Sequence, residues 1–514
     1  MLEEERKYEV DAGFEVPDLA DCAPPDGRVI IRPPLKLRAT YYDTADLRLA
    51  RMGASLRYRR GDDEPWTVKL PTDTPGIRNE ISMPGPPTVV PERLLELVTV
   101  YTRGAPVAPA VVLSTMRRAY QICDRDDRVA VELVDDAVSV IDGRRIALRF
   151  REIEVERKAG RAKLLDRVET VLHDAGALVG DFTPKHIRAL GLAALNPPDW
   201  PTSPDRLPRR ASAADVLRAA LRNDIARIIA HDPLVRLRAP VGDDDTAVHQ
   251  MRVGIRRLRS DLRTFGPLLE RPWANKLRDE LGWIAHRLGA ARDAEVLRAR
   301  LRKTAASDPL VPLDPAGIER MDADLAARHE DALARVDKAM ASERYHGLLD
   351  LLVEAANEPR MVRAAADPAP LVLPALVNRP WQRLAYGGNG VDGAGQLDAD
   401  GSDDSWHAVR INGKRARYAV DAVAGVLGGE ATELAKALGD VQDLLGEHQD
   451  AAVAAETWLA IANADPDDHT LAVTAGRLFE RERTAVQAAR AAFPAAWKNA
   501  SKRRLTDWMR QGQL

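Results

Sequence analysis

Two periodicities divide the chain. In the first part, apolar and polar positions alternate in short runs: Glu3 to Val10, Ser55 to Arg59, Trp66 to Leu70, Arg128 to Leu133, Val138 to Ile141 and Arg149 to Lys158. A period of two sends successive side chains to opposite faces of a strand, so these runs, separated by Asp-Gly and Pro-Gly turns, predict an antiparallel sheet or barrel. Between Leu165 and Ala175 the spacing becomes helical. From about Ala213 onward Ala, Leu, Arg and Glu recur at helical spacing, which predicts a bundle of long helices. The stretch Asn196-Pro197-Pro198-Asp199-Trp200-Pro201-Thr202-Ser203-Pro204 sustains neither pattern. The expectation is an α+β two-domain chain: residues 1–195, a linker over 196–211, and an all-α domain over 212–514. The segment from Gly387 to Asp404, rich in Gly and Asp, is expected to be a mobile loop.

The helical part contains an internal repeat. His249-Gln250-Met251-Arg252 through Arg259 is matched by His407-Ala408-Val409-Arg410 through Arg417, and Leu288-Gly289 with Arg292-Asp293 is echoed by Leu445-Gly446 with Gln449-Asp450. Two copies are too few for a solenoid, so two pseudo-symmetric half-bundles are expected.

Composition narrows the classes. At 514 residues the chain exceeds one ordinary core. A net charge of -3 with 30% charged residues makes local arrangement decisive. Cys22 and Cys123 are the only cysteines, too few for a disulfide framework or a Cys-ligated zinc. No run approaches about 18 apolar residues and the N-terminus lacks an apolar signal core. A cytoplasmic protein with no membrane partner is expected.

In the first domain Glu3, Glu5 and Lys7 share one strand face, as do Glu152, Glu154, Glu156 and Lys158, and as do Arg57 and Arg59. Any one such run is commonly a solvated sheet face. Three in phase, with Glu4 and Arg6 making the other face of the first strand polar as well, suit a tunnel whose charges are neutralised by a polyanion and metal ions. Carboxylates are hard donors for Mg²⁺ or Mn²⁺, and Arg and Lys grip phosphate oxygens. No Walker loop, Gly-x-Ser-x-Gly elbow or His-Glu-x-x-His competes.

These residues resemble the CYTH family, the triphosphate tunnel metalloenzymes that include class IV adenylyl cyclases and thiamine and inorganic triphosphatases. The likeness rests on Glu3-x-Glu5-x-Lys7, Tyr41-Tyr42-Asp43-Thr44, Leu56-Arg57-Tyr58-Arg59, Thr67-Val68-Lys69, Arg117-Arg118 and Arg151 to Glu156. It implies an eight-stranded antiparallel β-barrel tunnel. In it Lys7, Arg57, Arg59, Lys69, Arg117 and Lys185 would grip phosphates, with Arg188 assisting, and Glu3, Glu5, Glu154 and Glu156 would hold divalent metal. Arg118, Glu132 and Asp135 are weaker candidates for the same site.

In the helical domain, about 100° per residue places His249, Arg252, Arg256, Arg259 and Arg263 within about 80° of arc, opposite Met251, Ile255, Leu258, Leu262 and Phe265. His407, Arg410, Lys414 and Arg417 repeat the stripe, with Asp421 in place of Arg263. Glu residues at i, i+4 would compensate such a stripe and are missing, so it calls for an external polyanion. The lack of interleaved aromatics favours a phosphate chain over nucleic acid. The two stripes resemble the CHAD family, α-helical modules with conserved histidines that bind polyphosphate. The resemblance implies that both stripes contact inorganic polyphosphate. Arg292-Asp293 and Gln449-Asp450 are expected to be buried orienting pairs.

The expected function is therefore a metal-dependent hydrolase of inorganic triphosphate or a related compound, with a helical domain that binds long polyphosphate and could bring the chain to polyphosphate granules. Two alternatives stay open: a non-catalytic polyphosphate-binding protein, and an adenylyl cyclase, since the fold does not choose the chemistry. Natural substrate, preferred metal and oligomeric state are not legible.

Overall fold

The computed structural model describes residues 2–11, 13–72, 77–159, 162–179, 183–204, 206–208, 210–242, 245–388 and 390–510; the side chains of 2–4 and 162 are outside that description. The chain divides into two compact units, Met1–Trp200 and Pro201–Leu514.

The N-terminal unit contains β1 (Leu2–Glu9), β2 (Arg28–Ile31), β3 (Leu35–Asp43), β4 (Ser55–Arg60), β5 (Trp66–Pro71), β6 (Ile77–Met83), β7 (Ala108–Cys123), β8 (Val129–Asp142), β9 (Arg145–Arg157) and β10 (Leu178–Val179). Its helices are α1 (Arg48–Arg51), α2 (Glu92–Thr102), α3 (Ala162–Asp174) and α4 (Lys185–Leu190). Antiparallel pairing runs β1-β6-β5-β4-β3-β7-β8-β9, and β9 pairs again with β1 over Glu4–Glu9. Among the described residues the β1–β6 seam holds three residue pairs, Leu2–Asn79 to Glu4–Ile77, and the sheet is tunnel-like. β2 lies beside β7 and β10 beside β1. The two short runs read at Arg128–Leu133 and Val138–Ile141 are one strand, β8. Asp135 and Asp136, which lie between the two runs, continue it by pairing with Arg118 and Arg117 of β7.

The sheet's apolar side faces outward. Tyr8, Ile122, Val131, Leu133, Ile153 and Val155 pack under Leu165, Val168 and Leu172 of α3. Each of those helix side chains contributes about 2 kcal/mol by leaving water. Arg6, which interrupted the alternation of β1, lies on this side and donates to Asp166 at 2.7 Å and to Glu169, both on α3. The sheet's other face carries the charges, beside a smaller apolar cluster of Ala39, Tyr41, Leu113, Val138 and Val140.

The C-terminal unit is helical: α5 (Ala213–Leu237), α6 (Ala247–Thr264), α7 (Arg271–Ala305), α8 (Pro315–Met340), α9 (Glu343–Asn357), α10 (Ala369–Tyr386), α11 (Asp403–Leu427), α12 (Gly429–Asn463), α13 (His469–Ala500) and α14 (Arg503–Thr506). Local sequence sets the starts. Ser212 and Asp215 form a capping box at α5, Thr246 accepts from the His249 amide at α6, and Ser402 accepts from Ser405 at α11. The internal repeat recurs in the helices: α6 is followed by the 35-residue α7, and α11 by the 35-residue α12.

The Gly387–Asp404 segment departs from the expected mobile loop. Ala394 is buried, the Trp406 indole donates to the Asp398 carbonyl at 3.0 Å, and Arg490 donates to the Ala399 carbonyl at 2.8 Å. Asn389 lies outside the described residues.

Candidate functional site

Alternation along β1, β4, β5, β6, β7, β8 and β9 brings charges from seven strands to one cavity of about 490 Å³. Its lining includes Glu5, Lys7, Arg57, Arg59, Lys69, Arg117, Glu154, Glu156 and Lys185, the residues read from the sequence, all but Glu3. The Glu3 side chain lies outside the described residues; its backbone stands opposite Arg78. Sequence reasoning missed Tyr41, Arg78, Glu80, Asp136 and His186, which also line the cavity, as does the weaker candidate Glu132. Arg118 is exposed, and Asp135 accepts from Arg151 at 2.8 Å on the outer side. Arg188 sits over the Phe150 ring at 4.9 Å and does not line the cavity.

One wall is a lattice of alternating charge. Lys7 donates to Glu154 at 2.5 Å, Lys185 donates to the other Glu154 oxygen at 2.7 Å and to Asp136, and Arg117 donates to both Asp136 oxygens. Burial pulls both ammonium groups down, but Glu154, with Glu5 for Lys7 and Asp136 for Lys185, outweighs it and holds them above their usual range. Burial alone would raise the Glu154 carboxyl; Lys185, Lys7 and Arg117 hold it well below its ordinary value.

The opposite wall is cationic. Lys69 pairs with Glu80 at 3.0 Å, Arg57 stands 3.7 Å from Glu80, and Arg59 donates to Asp62 at 2.5 Å. Burial, then the neighbouring Arg57, lowers the Arg59 guanidinium's pKa.

The register sets Glu5 beside Glu156 and Glu156 beside Glu132, a row of three carboxylates across β1, β9 and β8. Their oxygens suit a hard divalent cation. Each also has a base or amide at hand: Lys7 at 3.8 Å from Glu5, Lys158 at 2.5 Å from Glu156, and Gln121 at 2.8 Å from Glu132. Among the described residues no three His, Cys, Asp or Glu are already gathered as a metal group.

His186 is the second residue of α4, after Pro184 and Lys185. Its ring stacks on Tyr41 with centroids 4.9 Å apart and planes 10° apart, and is 5% exposed. Burial, then Arg78 and Lys7, pushes its pKa down to about 3.

In the helical unit the two stripes meet, since Arg256 of α6 lies close enough to Arg410 and Lys414 of α11 to perturb both. Burial, then Arg410 and Arg256, lowers the Lys414 ammonium to about 7. Arg252 Nη1 and the Nε atoms of Arg256, Arg259, Arg410 and Arg417 are buried without a hydrogen-bond partner. Buried polar groups are normally satisfied, so five such atoms along the two stripes are open to an external acceptor.

Glycines on the neighbouring helices make room for these guanidiniums. A Cβ at Gly289 of α7 would stand 2.9 Å from Arg252 Nη1, one at Gly282 would stand 3.4 Å from Arg259 Nη2, and one at Gly439 of α12 would stand 3.8 Å from Arg417 Cζ. Arg263 continues the first stripe, and burial followed by Arg415 and Arg278 lowers it to about 10. Asp421 ties the repeats together by accepting from Arg257 at 2.7 Å.

His249 is half-buried, and burial followed by Arg292 lowers its pKa. His407 pairs with Gln449 at 2.5 Å. Of the expected orienting pairs the first differs: Asp293 is 73% exposed and 4.0 Å from Arg252, whereas Arg292 donates to Glu295 at 3.1 Å; in the second, Gln449 meets His407 and Asp450 stands 3.5 Å from Arg410. Among the described residues no helix is long and apolar enough to cross a membrane.

The sequence matches the CYTH domain family over residues 1–184 and the CHAD domain family over residues 219–459. It is 31% identical, over 98% of its length and 96% of theirs, to two proteins of Mycobacterium tuberculosis, MT2285 of strain CDC 1551 and Rv2226 of strain H37Rv. Among solved structures, PptA from Streptomyces chartreusis shares 26% identity over 56% of this chain and 100% of its own, with a TM-score of 0.45. The CHAD domain of the plant Ricinus communis shares 26% identity over 56% of this chain and 94% of its own, with a TM-score of 0.41.

Proposed function

The chain belongs to the family of proteins that join a CYTH domain to a CHAD domain, and on that premise we propose that its tunnel hydrolyses inorganic triphosphate or a related triphosphate while its helical unit holds long-chain polyphosphate. The observation that carries the reading is the cavity itself: eight basic side chains, Lys7, Arg57, Arg59, Lys69, Arg78, Arg117, Lys158 and Lys185, face about 490 Å³ together with the carboxylates of Glu5, Glu64, Glu80, Glu132, Asp136, Glu154 and Glu156. A phosphate chain can engage these bases while divalent metal engages the carboxylates, and phosphoryl transfer needs positioning and neutralisation more than a protein nucleophile.

In this reading Arg57, Arg59, Lys69 and Arg78 bind and orient the phosphate oxygens, and Lys7 and Lys185, fixed by Glu154, present their remaining N–H groups to the same chain. Glu5, Glu132 and Glu156 would hold Mg²⁺ or Mn²⁺, with Glu3 as a further donor. A bound divalent ion supplies charge neutralisation and a more acidic water. The Glu154 place in the metal set is weaker, because both its oxygens are engaged by lysines.

In the helical unit the unsatisfied guanidinium N–H groups of both stripes receive polyphosphate, which would place the protein in the cytoplasm or at polyphosphate granules. The second reading is a tunnel that grips polyphosphate without turnover. The deciding experiment offers tripolyphosphate, thiamine triphosphate, nucleoside triphosphates and long polyphosphate to the pure full chain with Mg²⁺ or Mn²⁺. Metal-dependent phosphate release, lost in Glu5→Gln, supports hydrolysis. No release from any substrate with either metal sinks it, and cyclic AMP from ATP would make the chain a cyclase.

A further inference from the structure

His186 stands among the phosphate-gripping bases but differs from them in kind. Its ring is held on three counts: it is at the first turn of α4, it stacks on Tyr41 at 4.9 Å, and one nitrogen is turned to the Ala54 carbonyl. The other nitrogen, Nε2, is buried with no hydrogen-bond partner, and the residue lines the tunnel. A neutral imidazole that donates through Nδ1 keeps a lone pair on Nε2, so this atom can only accept.

An ionised phosphate oxygen has no hydrogen to offer such an atom. Water has. Among the charged donors and carboxylates of the lining, His186 Nε2 is a neutral acceptor, which takes a molecule with an O–H bond that carries neither a metal's charge nor a phosphate oxygen's. Burial and the nearby Arg78, Lys7 and Arg57 keep the ring neutral at physiological pH, with a pKa pushed down to about 3. So weak a base does not take a proton at pH 7, but it still accepts a hydrogen bond.

We propose that His186 Nε2 holds the attacking water in the tunnel, accepting one of its hydrogens so that an oxygen lone pair faces the terminal phosphorus of the bound chain. The inference rests on the hydrolase reading above. In the step, the water oxygen bonds to phosphorus and the bridging P–O bond breaks, its electron pair leaving with the shortened chain. The two water hydrogens end on the two phosphate products, and His186 finishes unchanged.

The test compares His186→Phe, which keeps a ring on Tyr41 but removes the acceptor, with His186→Gln, which keeps an acceptor at similar reach. In tripolyphosphate hydrolysis by the full chain, His186→Phe should lose about 100-fold in kcat. Its KM, and its affinity for tripolyphosphate measured calorimetrically, should stay within about twofold, and His186→Gln should recover about a tenth or more of the wild-type kcat.

Nitrogen-15 NMR of histidine-labelled wild-type chain should show Nε2 unprotonated from pH 6 to 8, a readout that needs neither turnover nor a stable variant. A protonated Nε2 overturns the proposal. So does an unchanged kcat in folded His186→Phe, or a loss shared equally by kcat and binding. A wild-type chain that releases no phosphate overturns the hydrolase reading and this inference with it, whereas an active wild type with an indifferent His186 overturns the inference alone.

Discussion

Lys185 donates to one oxygen of Glu154 at 2.7 Å while Lys7 donates to the other at 2.5 Å, so a single carboxylate sets the position of two tunnel ammonium groups. Glu154→Gln would leave both lysines short of a buried partner. Removing one side of such a pair costs about 3–5 kcal/mol. The variant should unfold at lower temperature and lose phosphate release that excess metal does not restore, whereas raised metal should partly restore Glu5→Gln. Because Glu154 is held below its ordinary range, its contribution is complete above that range and is lost as pH falls through the depressed value. Thermal unfolding from pH 7 down to pH 3, with metal-titrated phosphate release, checks both halves.

Lys414 predicts a pH dependence of polyphosphate binding. Its free value of about 7 should rise when phosphate lies beside it, so binding takes up a proton. Affinity should be at its plateau below pH 7 and fall by up to about tenfold per unit as pH rises from 7 toward the bound-state value. Lys414→Arg, which stays charged, should flatten the curve. Calorimetry from pH 6 to 9 decides, and a wild-type curve as flat as the variant's would remove Lys414 from the binding groove.

How much of this was legible follows from which signals are local. The Glu3-Glu5-Lys7 and Glu152-Glu154-Glu156 runs announce a charged strand face by spacing alone, and the His249 and His407 stripes announce a cationic helix face the same way. What spacing cannot give is the partner across the fold. Asp136 lies in the gap between two short alternating runs, and only the continuous β8 brings it to Arg117 and Lys185. His186 carried no signal, because its meaning lies in the Tyr41 ring and the unpaired nitrogen. Asp293 was assigned to a buried pair that Glu295 makes instead, two residues further along the same helix.

Asp224 and Asp261 line a cavity of about 740 Å³ in the helical unit with Asp421 and Arg257, and both carboxyls are buried. Burial pushes Asp224 up to about 8, and burial followed by the adjacent Asp224 holds Asp261 well above the usual range. A raised carboxyl binds its proton in the folded state, so stability should fall as pH rises from the ordinary carboxylate range toward 8. Asp261→Asn should reduce that slope and raise the unfolding temperature at pH 8, by about 2–4 °C for each kcal/mol recovered. Melting curves at pH 5 and pH 8 provide the comparison; equal slopes in variant and wild type would contradict it.

Gly289→Ala separates packing from binding. Alanine favours a helix interior by about 1 kcal/mol, so α7 should lose nothing. The new Cβ would stand 2.9 Å from Arg252 Nη1 and displace that guanidinium. Long-chain polyphosphate should bind about tenfold more weakly to a protein that melts no earlier, a combination that fluorescence titration and thermal unfolding report together. Undiminished affinity would show that Arg252 reaches phosphate from other rotamers.

The five buried nitrogens of Arg252, Arg256, Arg259, Arg410 and Arg417 that lack acceptors give the helical unit the character of an anion exchanger. Before any polyphosphate arrives, whatever small anion the solution offers will compete for the same N–H groups, and an anion that binds the folded groove stabilises it by mass action. The unit should therefore melt later in sulfate than in chloride at equal ionic strength, and more so than a variant in which these arginines are glutamines, since sulfate also strengthens burial in any protein. Its apparent affinity for polyphosphate should be weakest in the buffer where it looks most stable.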